Sequence, residues 1–114
     1  MITLVAAMML SMAAQKADPM NNARKAFNNC MIETHNKGVT DKVSPSDFLK
    51  TAESACTTER TIYHDMMVKA ERGYGSNAKD AEQFAKEEVQ MMIDGIVSSF
   101  NENAETGAKL TPEK

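Results

Sequence analysis

After an opening stretch without a charged residue, Met1 to Ala14, apolar side chains recur along the chain in steps of three and four. That period is the signature of helices that bury one face. Asp18 followed by Pro19 is a start signal: a carboxylate caps the first free N–H groups, and proline at the first helical position has no N–H to lose. The pattern predicts a first helix over about 19–36, with Met20, Ala23, Phe27, Cys30 or Met31, and Thr34 on one stripe and Gly38 as its stop. Ser44, Pro45 and Asp47 form the strongest local signal, a cap, an opening proline and a first-turn carboxylate. They begin a second helix, predicted over about 45–72, whose stripe is Phe48, Ala52, Ala55 or Cys56, Glu59, Ile62 or Tyr63, Met66 and Ala70. Gly73 and Gly75 end it. Ser76 or Asn77 caps a third helix, predicted over about 77–103, with Ala81, Phe84 or Ala85, Val89, Met92, Ile96 and Phe100 facing inward. Gly95 inside it implies a close helix contact or a bend.

No strand pattern competes, so the expected fold is all-α: a small up-down-up bundle of three long helices. The domain is placed at 14–105, and 106–114, with Gly107 and Pro112, is expected to be a flexible tail. A length of 114 residues allows one core and not two.

The uncharged opening changes the picture of location. All 13 Lys and Arg and all 16 Asp and Glu lie after Ala14. The apolar run Ile2 to Leu10 and the small residues Ser11, Ala13 and Ala14 have the form of a secretory signal peptide, residues 1–13, cut after Ala13 or Ala14. No Lys or Arg precedes the run, and a buried N-terminal helix is the competing reading. A membrane span would need about 20 apolar residues, so none is expected in the mature form. Periplasmic or secreted location is the expectation.

Two cysteines in a small exported chain are expected to form one disulfide, Cys30 to Cys56, joining the first helix to the second. Two unpaired buried thiols are the alternative. Metal ligation is disfavoured, because no CxxC or paired His completes a tetrahedral set. Closing the loop would stabilise the fold by about 3 to 3.5 kcal/mol in the chain-entropy model. The third helix lies outside this clamp and is expected to be the free element.

A formal net charge of −3 argues against a nucleic-acid partner. No phosphate loop, nucleophile elbow, HExxH or haem motif occurs, and an enzyme is not expected. His35 is expected near the end of the first helix, favouring the helix dipole. His64 is expected to face away from the core, its side chain about 100° from that of Asp65. Glu82 and Lys86 read as surface support. No cofactor and no metal is called for. The adjacent pairs Met66, Met67 and Met91, Met92 are the candidate partner-binding residues, since thioethers adapt to varied apolar surfaces.

The stretches ARKAFNNC at 23–30, SPSDFLKTAESACTTER at 44–60, EEVQMMIDG at 87–95 and LTPEK at 110–114 carry a likeness. The chain resembles the uncharacterised small exported two-cysteine helical proteins of alphaproteobacteria. The resemblance implies location and fold, and it transfers no functional residue. Size and the helix-linking disulfide also give a likeness of class to acid-activated periplasmic chaperones, without a shared motif. The expected function is a non-enzymatic, polypeptide-binding or chaperone-like envelope module, its partner another envelope protein or a second copy as a homodimer. The alternative is copper handling through Met66, Met67, Met91 and Met92 with His64.

Overall fold

The computed structural model describes residues 18–114, so the expected signal peptide lies outside the described residues. Among the described residues four helices follow in order: α1 Pro19–Thr40, α2 Pro45–Ser54, α3 Thr57–Gly73 and α4 Ala78–Asn103. Each predicted start is present. Asp18 accepts from the N–H groups of Met20 and Asn21 at 3.0 and 3.3 Å. Ser44 Oγ accepts from Asp47 N at 3.2 Å, and Asn77 Oδ1 from Asp80 N at 2.9 Å. None of the described helices is long and apolar enough to cross a membrane.

The three-helix expectation is corrected to four, because the predicted 45–72 helix is broken. Ala55 is extended, and Cys56 takes the left-handed region with φ 58° and ψ 41°. Neither residue is a helix breaker, so the cause is tertiary. Cys56 is bonded to Cys30 with a Cα separation of 6.0 Å, which ties α1 to the break. From the far side of the break, the Arg60 guanidinium donates to the carbonyl oxygens of Ala52, Glu53 and Ala55 at 3.0, 2.8 and 2.8 Å. Two of these are carbonyls that the end of α2 leaves unpaired, and a cation there also suits the helix dipole.

Gly38 does not end α1, which continues to Thr40. A Cβ on Gly38 would lie 3.0 Å from both Phe48 and Phe100. Those two rings stack at 4.0 Å, 7° apart, with the His35 ring edge-on to both. The glycine is a packing residue here. Gly95 is the reverse: a Cβ there would meet nothing within 4 Å, so the expected close contact is absent.

α4 is not the free element. Ala81, Ala85, Val89, Ile93, Ile96 and Phe100 are buried along it, and it packs against α1, α2 and α3. Its stripe passes through Ile93 rather than the expected Met92. On α3 the buried positions are Tyr63 and Met67, with Ile62 exposed and Met66 half-buried. Ala23, Phe27, Met31, Ile32 and Val39 of α1 and Phe48 and Ala52 of α2 complete the core.

Residues 106–114, read from sequence as a flexible tail, make defined contacts. After a turn at 104–107, the 108–114 segment crosses α1 without a further turn or bend, and Leu110 packs against the core.

Candidate functional site

Steps of four along α1 bring Arg24, Asn28, Ile32 and Asn36 onto one face, and Lys25 and Asn29 flank it. Asparagine is a poor helix former because its side chain competes for backbone groups. Here two of the helix's asparagines bond the backbone of another segment. Asn36 Nδ2 donates to the Leu110 carbonyl and Asn36 Oδ1 accepts from the Leu110 N–H, both at 2.9 Å. Asn29 does the same to Glu113, donating to its carbonyl at 2.9 Å and accepting from its N–H at 2.8 Å.

The spacing explains why two such pairs fit at once. Seven residues of helix rise roughly 10.5 Å, and three residues of extended chain span roughly 10 Å. Asn29 and Asn36 therefore match residues 113 and 110 of a segment running antiparallel to α1.

Two side-chain sites lie beside these backbone contacts. Arg24 donates to both Glu113 carboxylate oxygens at 2.8 and 2.9 Å, and Asn28 Nδ2 adds a third bond at 2.6 Å. Asn21 Oδ1 accepts from Arg24 at 3.2 and 3.3 Å, which orients the guanidinium. The bond from Arg24, then that from Asn28 and the positive charges of Arg24 and Lys25, hold the Glu113 carboxyl down at about 2. Lys25 Nζ also donates to the Lys114 carbonyl at 2.6 Å. At the other end, Leu110 and Thr111 border a groove of about 390 Å³ between α1 and α4, lined also by Ile32, Met92, Gly95 and Ile96 and by the polar Asn28 and Ser99.

The site is wired to the core. His35 is fully buried, contrary to the expected role at a helix end. Its Nδ1 lies 2.8 Å from Asn36 Oδ1, and its Nε2 lies 3.2 Å from Asn103 Nδ2. The Asn103 amide nitrogen, the atom that faces the ring, can only donate, so His35 Nε2 accepts and Nδ1 carries the proton toward Asn36 Oδ1. Asn36 Oδ1 thus receives His35 and Leu110 together, which fixes the orientation of that amide.

The methionines named from sequence are not brought together. Met67 is in the core, and Met91 is 65% exposed. Met66 borders a shallow depression with Pro19, Met20, Lys69 and Ala70, while Met92 floors the groove beside Leu110. Of the four, only Met92 belongs to the site.

His64 bridges two helices. Its Nδ1 lies 3.0 Å from Asp65 Oδ1, despite the expected divergence of the two side chains, and its Nε2 lies 2.8 Å from Glu82 Oε1. The hydrogen bond to Asp65, reinforced by Glu82 and opposed by burial, raises its pKa. With both nitrogens against carboxylates, the imidazolium form is favoured and neither nitrogen is free to activate a nucleophile.

Among the described residues, one group of three potential metal ligands converges, Cys30, Cys56 and Glu59 within 4.8 Å. The two sulfurs are bonded to each other, and a disulfide is not a thiolate ligand.

The asparagine site was missed from sequence. Its signal was present in the low-propensity residues Asn28, Asn29 and Asn36 inside a helical pattern. Comparison with protein-family models, curated proteins and solved structures finds no match.

Proposed function

We propose that the protein is a non-enzymatic, polypeptide-binding module of the cell envelope that holds an extended segment of a partner chain along α1. The observation that carries this reading is the double pairing of Asn29 and Asn36 with the N–H and C=O of residues three apart. Contacts of this kind address the backbone, which every polypeptide has, and satisfy groups that are costly to leave unpaired. They resemble the addition of a strand to a sheet edge, with a helix supplying the edge.

The half-buried Met92 and the groove beside it give such a segment an adaptable apolar floor. The Cys30–Cys56 disulfide supports location in an oxidising compartment. Another envelope protein is the partner class that follows from that location.

The test uses a permanently unfolded client, a reduced and alkylated chain, titrated against a full chain whose own 108–114 segment is loosened by Leu110→Ser and Glu113→Gln, with and without Asn29→Ala and Asn36→Ala together. Binding that falls by roughly tenfold or more in the double variant supports the reading, since each lost backbone pair removes about 1 kcal/mol. Equal binding by the two proteins, or none by either, overturns it.

A further inference from the structure

Beyond holding a backbone, the groove carries two side-chain sites at a fixed distance, and they define what it selects. One is apolar, with Ile32, Met92 and Ile96 beside Leu110. The other is a carboxylate site, formed by the Arg24 fork and Asn28 around Glu113. A planar guanidinium meeting both oxygens of a carboxylate is selective for charge and shape. Between the two sites, residue 112 is a proline, which has no N–H and so loses nothing where α1 offers no acceptor.

The segment now seated there belongs to the same chain. Apart from Leu110, which packs against the core, the contacts that seat it are polar, and the Arg24 and Glu113 side chains are 34% and 35% exposed. Such contacts open locally at low cost while the core stays folded. The segment follows directly on a turn that ends at Gly107, with φ 77°, outside α4.

Resting on the polypeptide-binding reading, we infer that the α1 groove selects extended segments of partner proteins that carry an apolar side chain followed three residues later by a carboxylate. The chain's own 108–114 segment is the resident competitor that gates this groove. A tethered occupant acts at an effective concentration in the millimolar range, so it weakens binding of a free peptide of moderate affinity by roughly 10- to 100-fold.

The test titrates a fluorescent peptide of sequence AKLTPEK, residues 108–114, against the full chain and against a full-chain variant with Leu110→Ser and Glu113→Gln. That variant loosens the resident segment and leaves the α1 groove intact; far-UV circular dichroism checks that its helices persist. The variant is expected to bind the peptide roughly 10- to 100-fold more tightly than the unaltered chain. Within the loosened variant, a peptide with Glu→Gln at the acidic position is expected to bind roughly tenfold more weakly, and Arg24→Gln to abolish that difference.

Equal affinity of the two chains overturns the gate. Equal affinity for the two peptides overturns the carboxylate selection. A dimer of the unaltered chain in light scattering that disappears in the variant also overturns the gate, because the segment would then be exchanged between copies. If these arms fail while the unfolded client still binds through Asn29 and Asn36, the general polypeptide-binding reading stands and only this inference falls.

Discussion

Asn36 holds both backbone groups of Leu110, a residue 74 positions further along the chain, with its own amide oriented by the buried His35. The relay from Asn103 through His35 to Asn36 joins the end of α4, the core and the surface groove. A surface asparagine ordinarily loses side-chain freedom when it binds, and here the core has already removed it, so the groove is preorganised.

Replacing Asn36 with Ala should therefore act locally on the 108–114 segment. In hydrogen exchange the Leu110 amide is expected to lose its protection, while the Glu113 amide, held by Asn29, keeps much of its own. Loss at both amides together would mean that the segment is held as one unit, and unchanged protection at Leu110 would contradict the pairing.

The seating of that segment should depend on acid. The Glu113 carboxyl is held at about 2 against an ordinary 4.5, chiefly by Arg24. A lowered carboxyl pKa contributes stability that is present above the unfolded value and is lost as pH falls through the folded one. Between about pH 4.5 and 2 the 108–114 amides should lose protection while the helices remain, as read by hydrogen exchange against circular dichroism. In Glu113→Gln this acid dependence should disappear.

The His64 bridge has the opposite sign. Its pKa is raised above 6.5 by Asp65 and then Glu82. Its contribution is full below the unfolded value and is lost as pH rises through the folded one. With Asp65 and Glu82 largely exposed, the effect should stay under about 1 kcal/mol. Denaturant midpoints of the protein and of His64→Gln should converge above neutral pH.

Gly38→Ala tests the aromatic stack. Alanine favours a helix over glycine by about 1 kcal/mol, but the new methyl group would press on Phe48 and Phe100 at 3.0 Å, and both rings are buried. Overpacking costs about 1 to 3 kcal/mol, so a net loss of roughly 1 kcal/mol is expected in urea unfolding. A stabilised variant would show that the rings can move apart.

Much of the fold was legible because its signals are local. Asp18 with Pro19, Ser44 with Pro45 and Asn77 with Asp80 announce their helices through cap chemistry, and the two cysteines announced their bond. The break at Ala55 and Cys56 was hidden because it is imposed from outside, by Cys30 and by Arg60 on the carbonyls of α2. Gly38 was misread for the same reason, since a glycine that ends a helix and one that admits two rings look alike in sequence. On α4, Val89 to Met92 and Val89 to Ile93 are both helical steps, and only packing chooses Ile93. The candidate site required knowing that residues 110–113 lie over α1, a contact with no local signal. The methionine pairs are conspicuous in the sequence, whereas Asn29 and Asn36 carry the geometry.

The central claim is that Asn29 and Asn36 of α1 grip the backbone of a bound polypeptide and Asn28 its carboxylate. The most direct measurement follows the side-chain amide resonances of the isotope-labelled Leu110→Ser, Glu113→Gln chain as the AKLTPEK peptide is added. Those of Asn28, Asn29 and Asn36 should shift together and saturate with the binding curve, while those of Asn77 and Asn101 stay still. Binding that leaves the α1 asparagines unmoved and perturbs the surroundings of Met91 instead would contradict the account.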